Sequence, residues 1–244
     1  MTVWYTPDLA YIHDQGFKDY ALKSAPGILE ILNHRQISAG LVVDLGCGSG
    51  LSAAVLHQAG YQVLGIDISE AMIEIAKTRA PAAEFRVESL FTADIPHCAA
   101  VISIGECLNY LFDQNAHQRL ESLFQRIYDA LSPGGVFIFD GVKPGQVSSD
   151  EVVKSFMEGP DWIVLVEKQE QRSPPLLTRR IITLRQVGDL YRRTEEIHRQ
   201  CLFNSAEVIE TLTQIGFQVE TMDHYGSFKL PPARVAFIAQ KPQN

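Results

Sequence analysis

Over the first 140 residues, short continuous apolar runs alternate with stretches whose apolar residues recur every three or four positions. Leu41-Val42-Val43 is such a run and ends at Asp44; Leu51 to Ala59 follows with helical spacing. Val63, Leu64 and Ile66 form the next run, ending at Asp67, after which Ser69 is placed to cap a helix that Pro81 stops near Ala80. Glu84 to Val87 and Ala99 to Ile104 read as third and fourth strands. Gln114 to Leu131 has helical spacing, with Leu120, Leu123, Phe124, Ile127 and Leu131 on one face. Ser132-Pro133-Gly134-Gly135 then turns the chain into a fifth strand, Val136 to Asp140. Strands alternating with helices at this spacing predict a doubly wound α/β fold, its parallel sheet joined by right-handed crossovers. Ligands in such sheets sit at the carboxyl ends of the strands, near which Asp44, Asp67, Ser89, Gly105 and Asp140 lie.

The pattern changes on both sides of this core. Residues 1–36 begin with aromatics (Trp4, Tyr5, Tyr11, Phe17, Tyr20) and continue into a helix with Ile28, Leu29, Ile31 and Leu32 on its apolar face. They read as a helical cover, with Tyr5, Tyr11 and Phe17 available to a pocket. Gly141 to Pro160 reads as a loop with a short helix around Val152 to Met157. Three antiparallel strands are expected next, over 161–170, 176–187 and 190–202, with Gly188-Asp189 as a hairpin turn. A helix capped by Asn204 or Ser205 runs to about Ile215, and strands follow over Gln218–Met222 and Val235–Ala239. The expected organisation is a cover over 1–36, an α/β domain over 37–140 and 203–244, and an inserted antiparallel lid over 141–202.

Asp44-Leu45-Gly46-Cys47-Gly48-Ser49-Gly50 joins the first strand to its helix. Glycine lets the backbone turn sharply and lets a ligand approach, and the helix N-terminus offers unpaired N–H groups. Asp67 lies 21 positions after Gly46, a spacing that suits an acid accepting hydrogen bonds from ribose hydroxyls. Strand, glycine turn, helix and acid together describe a nucleotide site.

Composition narrows the picture further. The 244 residues are 46% hydrophobic, enough for a substantial core. A net charge of −8 argues against a broad nucleic-acid surface. Cys47, Cys98, Cys107 and Cys201 are scattered and show no paired spacing, as expected of reduced thiols in a cytoplasmic protein. No basic-then-apolar leader opens the sequence, and no apolar run approaches the roughly 20 residues that span a membrane. Cys, His and carboxylates show no metal-ligand spacing, so no metal is expected.

Four motifs in order resemble the class I S-adenosylmethionine-dependent methyltransferases: Val43 to Gly50, Gly65 to Met72, Leu131 to Gly135, and Ile215-Gly216-Phe217 with two closing strands. The resemblance implies a seven-stranded, mainly parallel Rossmann-like sheet with an antiparallel lid inserted after the fifth strand. It implies S-adenosylmethionine as cofactor and S-adenosylhomocysteine as product. In that reading Gly46, Cys47, Gly48 and Gly50 pass close to the cofactor's methionine part, and Asp44 holds the turn and the amino group. Asp67 takes the ribose, Ile68 and Met72 flank the adenine, and Ser89 and Leu90 lie at its edge. Ile104, Gly105 and Glu106 lie beneath the methyl group, and Tyr11 joins the cofactor side from the cover. Glu88 and Ser89 stand where many members carry an aspartate, and Cys98-Ala99-Ala100 replaces a common Phe-Asp pair.

Methyl transfer from a sulfonium is an in-line displacement that needs alignment and exclusion of water more than a catalytic triad. Candidate acceptor-side residues are Glu106, Asn109 and Tyr110 after the fourth strand, Asn109 equally readable as a cap on that strand, and Glu196 and His198, two apart on an inserted strand and therefore on one face. The arginines at 179, 180, 192, 193 and 199 offer sites for an anion or a solvated surface. The expected partner is a small-molecule acceptor methylated on nitrogen or oxygen. Rival readings are an RNA methyltransferase, a nicotinamide-dependent oxidoreductase, in which Gly48-Ser49-Gly50-Leu51-Ser52-Ala53 is the glycine motif, and a non-catalytic cofactor-binding protein.

Overall fold

The computed structural model describes residues 4–111, 120–148 and 151–243. Two helices, α1 (Pro7–Gly16) and α2 (Asp19–His34), precede the alternating core. The core comprises β1 (Leu41–Leu45), α3 (Leu51–Gln58), β2 (Gln62–Asp67), α4 (Glu70–Arg79), β3 (Glu84–Val87), β4 (Cys98–Ser103), α5 (Leu120–Ala130) and β5 (Leu131–Val142). An inserted group follows: β6 (Val152–Gly159), β7 (Trp162–Arg172), β8 (Pro175–Val187) and β9 (Leu190–Cys201). The chain closes with α6 (Ser205–Ile215), β10 (Gln218–Met222), β11 (His224–Tyr225), β12 (Phe228–Lys229) and β13 (Arg234–Gln240).

The main sheet has seven strands in the order β10-β13-β5-β4-β1-β2-β3. β1 pairs in parallel with both β2 and β4, whereas β13 runs antiparallel to β5 and to β10. Alternate strand residues feed two cores, as a sheet covered on both faces requires. Val43, Leu45, Val101, Phe137 and Phe139 pack with the side chains of α5 and α6. Val42, Val63, Ala100, Ile102 and Ile138 pack with those of α2, α3 and α4. This is the doubly wound, mainly parallel sheet expected from the sequence, with its antiparallel insertion after β5.

Three local expectations are corrected. Val152 to Met157 is not a helix: β6 pairs with β7 from Val152↔Gln169 to Gly159↔Trp162, making the insertion four strands rather than three. Cross-strand pairing along the whole run outweighs any weak local helical preference. Ser132 to Gly135 lies within β5, where the register with β4 jumps between Cys98↔Leu131 and Ala100↔Val136, so the expected turn survives as an irregularity in the ladder. The stretch between β10 and β13, read as a loop, contains the small β11–β12 hairpin. Of the helix expected from Gln114, residues 112–119 lie outside the described residues, and its described part is α5.

Two contacts fix the cover over the carboxyl edge of the sheet. Leu9 and Ile12 of α1 pack with Trp162, Val164 and Ile181 of the inserted sheet. Gly27 of α2 lies so close to the β11–β12 hairpin that a Cβ there would sit 2.2 Å from the carbonyl carbon of Tyr225.

Candidate active site

A cavity of about 500 Å³ opens where the sheet's carboxyl edge, the two N-terminal helices and the inserted sheet meet. Its floor is the glycine turn. Gly46 and Cys47 both donate their N–H to the Ile66 carbonyl, at 2.7 and 3.1 Å, which binds the turn to β2. Gly46 has φ +78°, and a Cβ there would strike Cys107 Sγ at 2.5 Å. Gly48, at φ +52°, differs: a Cβ there would meet nothing within 4 Å. The backbone at Gly48 therefore presents an open face to the cavity, and it is left-handed where L residues are strained.

Asp67 closes this end. One carboxylate oxygen accepts from Gly48 N and the other from Ser69 N, both at 2.9 Å, so the acid ties the turn to the start of α4. Each oxygen keeps a second acceptor direction for a ligand. Burial raises the Asp67 pKa, and the bonds from Ser69 and Gly48 partly offset that rise. Asp44, fully within the fold, is pushed up to about 7 by burial and by the charge of Asp67. Ile68, Met72 and Leu90 supply apolar walls beside the two acids.

The opposite end carries the reverse charge. Glu106 follows β4 in a left-handed conformation, φ +62°, and Asp140 holds it there by accepting from Gly105 N and Glu106 N, the latter at 2.7 Å. The Glu106 carboxylate pairs with Arg179 Nη1 at 2.5 Å and Arg234 Nη2 at 3.1 Å. Burial would raise its pKa, but the two guanidiniums outweigh that and hold it below the usual carboxylate range, ionised. Tyr5 Oη and Tyr110 Oη are 3.0 Å apart, and burial raises Tyr110 to about 12. His13 lines the same end, edge-on to Tyr5 and stacked on Phe17. Burial lowers its pKa to about 4, so the imidazole is neutral at physiological pH.

Glu196 and His198 stand behind the wall. Glu196 accepts from Tyr5 N, Thr6 N and Thr6 Oγ1 at 2.7–2.9 Å and from His198 Nε2 at 2.9 Å. The acid thus satisfies N–H groups at the start of α1 and clamps the aromatic N-terminal segment to β9. Ser69 Oγ, which caps α4, also donates to the Tyr5 carbonyl at 2.8 Å. One short segment is thereby tied to both the main sheet and the insertion. Asn109 is also structural: its Nδ2 donates to the carbonyls of Cys201 and Val142, and its Oδ1 accepts from Val142 N.

Of the residues expected at the site, Asp44, Gly46, Cys47, Gly48, Asp67, Ile68, Met72, Leu90, Gly105, Glu106 and Tyr110 line the cavity. Gly50, Ser89, Tyr11, Glu196 and His198 are not among its lining residues. Gly50 precedes α3 against Ala76, and the Tyr11 ring lies under Arg185, with its hydroxyl directed to Asp161. The cavity also takes in His13, Lys168, Arg179 and Arg234. Alternation along β7 and β8 places Lys168 and Arg179 on one face; nothing local in the sequence marks His13 or Arg234.

Residues 42–135 match the family model of a methyltransferase domain. A protein named as a methyltransferase in Geobacillus sp. (strain WCH70) is 28% identical over 82% of this chain and 84% of its own length. Partial relatives include a trans-aconitate 2-methyltransferase of Paracidovorax citrulli, 36% identical over 51% of this chain and 47% of that one. Another is an 18S rRNA (guanine(1575)-N(7))-methyltransferase of Saccharomyces cerevisiae, 32% identical over 52% of this chain and 48% of that one. Among solved structures, an S-adenosylmethionine-dependent methyltransferase from Clostridium acetobutylicum superposes with a TM-score of 0.80 at 19% identity, covering 96% of this chain and 97% of its own. The family match, the relatives and the shared fold support a class I S-adenosylmethionine-dependent methyltransferase with S-adenosylmethionine as cofactor. Among the described residues no helix is long and apolar enough to cross a membrane.

Proposed function

We propose that the protein methylates a nitrogen or oxygen of a small molecule held inside this cavity. The observation that carries the reading is the roof: Tyr5, His13 and Phe17 on one side and Met157, Val166 and Arg179 on the other close over the sheet edge. The remaining volume, about 500 Å³, suits a cofactor with a compact acceptor. A polynucleotide would need an open basic face, and the chain carries a net charge of −8. The four cysteines are free, in keeping with a reducing cytoplasm.

S-adenosylmethionine, when bound, supplies an electrophilic methyl group on a positively charged sulfur. The residues present fit it. Asp67 has acceptor capacity for ribose hydroxyls, Asp44 is a buried acid for the amino group, and Ile68, Met72 and Leu90 give the apolar faces a planar base needs. Gly48 leaves the space a side chain would take. At the other end Glu106 holds Arg179 and Arg234 in place, so it acts as a fixed anion rather than a mobile base. The His13 imidazole, neutral and with no hydrogen bond among the described residues, is a group able to accept an acceptor's proton. Glu196 and His198 are positioning residues acting through Tyr5.

The test is transfer of a labelled methyl group from the cofactor to a metabolite extract and, separately, to total RNA. Label in a small molecule is expected; label only in RNA would replace this reading with its rival.

A further inference from the structure

The charged groups lining the cavity are sorted by sign. Asp44 and Asp67 lie at the glycine turn, and Glu106 at the far end faces Lys168, Arg179 and Arg234. Three cations therefore share one lining carboxylate, with the buried Asp140 behind it acting on Arg234 as the second acid of this cluster. Each oxygen of the Glu106 carboxylate is ion-paired with one guanidinium, Oε1 also through a hydrogen bond from Arg179 and Oε2 with Arg234 at 3.1 Å without hydrogen-bond geometry. Lys168 is left with no ion pair or hydrogen bond among the described residues, although it is half-buried. Arg179 Nε is buried and likewise has no hydrogen-bond partner among them.

The arrangement is costly as it stands. Lys168 on β7 and Arg179 on β8 are direct cross-strand partners, and both side chains line the cavity. Like charges directly opposite on one sheet face destabilise the pair. Burial, the largest cause, lowers the Lys168 pKa, Arg179 and Arg234 lower it further, and Glu106 offsets part of the fall. Along the same face Val166 on β7 and Ile181 on β8 carry no charge, and the carboxylate of Glu170, the other neighbour on β7, is engaged by the N–H groups of Gly145, Gln146 and Val147. An incoming anion would relieve the repulsion and use the open donors together, on the Lys168–Arg179 wall rather than at the glycine turn where the acids that suit the cofactor lie.

We propose that Lys168, with Arg179 beside it, binds an oxyanion carried by the methyl acceptor, a carboxylate or a phosphate monoester. This rests on the reading of the cavity as a methyl-transfer site. Lys168 is a specificity residue: it anchors the acceptor and leaves the cofactor's contacts untouched.

The experiment uses the full chain saturated with S-adenosylhomocysteine and titrates four probes by calorimetry: citrate, glucose 6-phosphate, glucose and glucosamine. At least one of the two oxyanions is expected to bind, and which one separates carboxylate from phosphate; the neutral and cationic probes are expected not to. Lys168→Met should weaken that binding by about tenfold or more and Lys168→Arg should largely restore it, while S-adenosylhomocysteine affinity stays within about twofold in all three proteins. If neither oxyanion binds the wild-type complex, if glucosamine binds as well as they do, or if Lys168→Met binds them unchanged, the proposal is overturned. If S-adenosylhomocysteine itself fails to bind the wild type, the methyl-transfer reading falls first, and the proposal with it.

Discussion

The two ends of the cavity are built in different ways. The end proposed for the cofactor is local: its glycine turn and Asp67 come from two successive βα units, residues 44–72, and are joined by hydrogen bonds from Gly48 and Ser69 to one acid. The end proposed for the acceptor is assembled from distant segments: Tyr5 and His13 from the N-terminal cover, Glu106 and Tyr110 from beyond β4, Lys168 and Arg179 from the insertion, and Arg234 from the last strand. A local site is set by backbone geometry and tolerates little variation. An assembled site can change its ligand by exchanging side chains on a sheet that the core does not depend on. The two ends should therefore respond differently to substitution.

Glu106→Ala is expected to have the largest effect, because it strands two buried guanidiniums; breaking such a network costs about 3–5 kcal/mol, read by urea denaturation. A loss under about 1 kcal/mol would mean that solvent already screens the cluster. Glu196→Ala comes next, since it releases the N–H groups of Tyr5 and Thr6. A stability loss of about 2–3 kcal/mol is expected, together with a raised KM for the acceptor. An unchanged KM would separate the N-terminal segment from the acceptor end.

Asp44 gives a pH dependence with a definite sign. Its folded pKa, about 7, lies above the ordinary 3.8, so its contribution to apo stability is full below the ordinary value and lost as pH rises through about 7. An ammonium group beside the ionised acid reverses that loss. Stabilisation by S-adenosylhomocysteine in thermal melts should therefore grow between about pH 6 and 8, and a flat profile would remove Asp44 from the cofactor's contacts. Tyr11→Phe is the smallest change. Its hydroxyl makes only long contacts to Asp161, at 3.3 and 3.5 Å, so stability should move by well under about 1 kcal/mol and cofactor affinity not at all.

The same division explains what the sequence disclosed. The alternation of strand and helix, the glycine turn and Asp67 are properties of neighbouring residues, and the mainly parallel sheet followed from them. His13 and Arg234 carry no local signature; they enter the cavity only because α1 packs on β7 and β8 and because β13 pairs with β5. Glu196 and His198 do share a strand face, but what that face meets is the N-terminal segment rather than the open cavity, which pairing at 190 positions' separation decides. Val152 to Met157 misled because an edge strand exposed along nearly all its length lacks the alternation that marks a half-buried one.

The most direct test of a divided cavity is a calorimetric titration of S-adenosylhomocysteine into the wild type, Asp67→Ala and Lys168→Met, each first shown to be folded. Asp67→Ala removes acceptors for two hydroxyls and should weaken binding by about a hundredfold, while Lys168→Met should bind within about twofold of the wild type. Equal losses in both variants, or none in Asp67→Ala, would contradict the division.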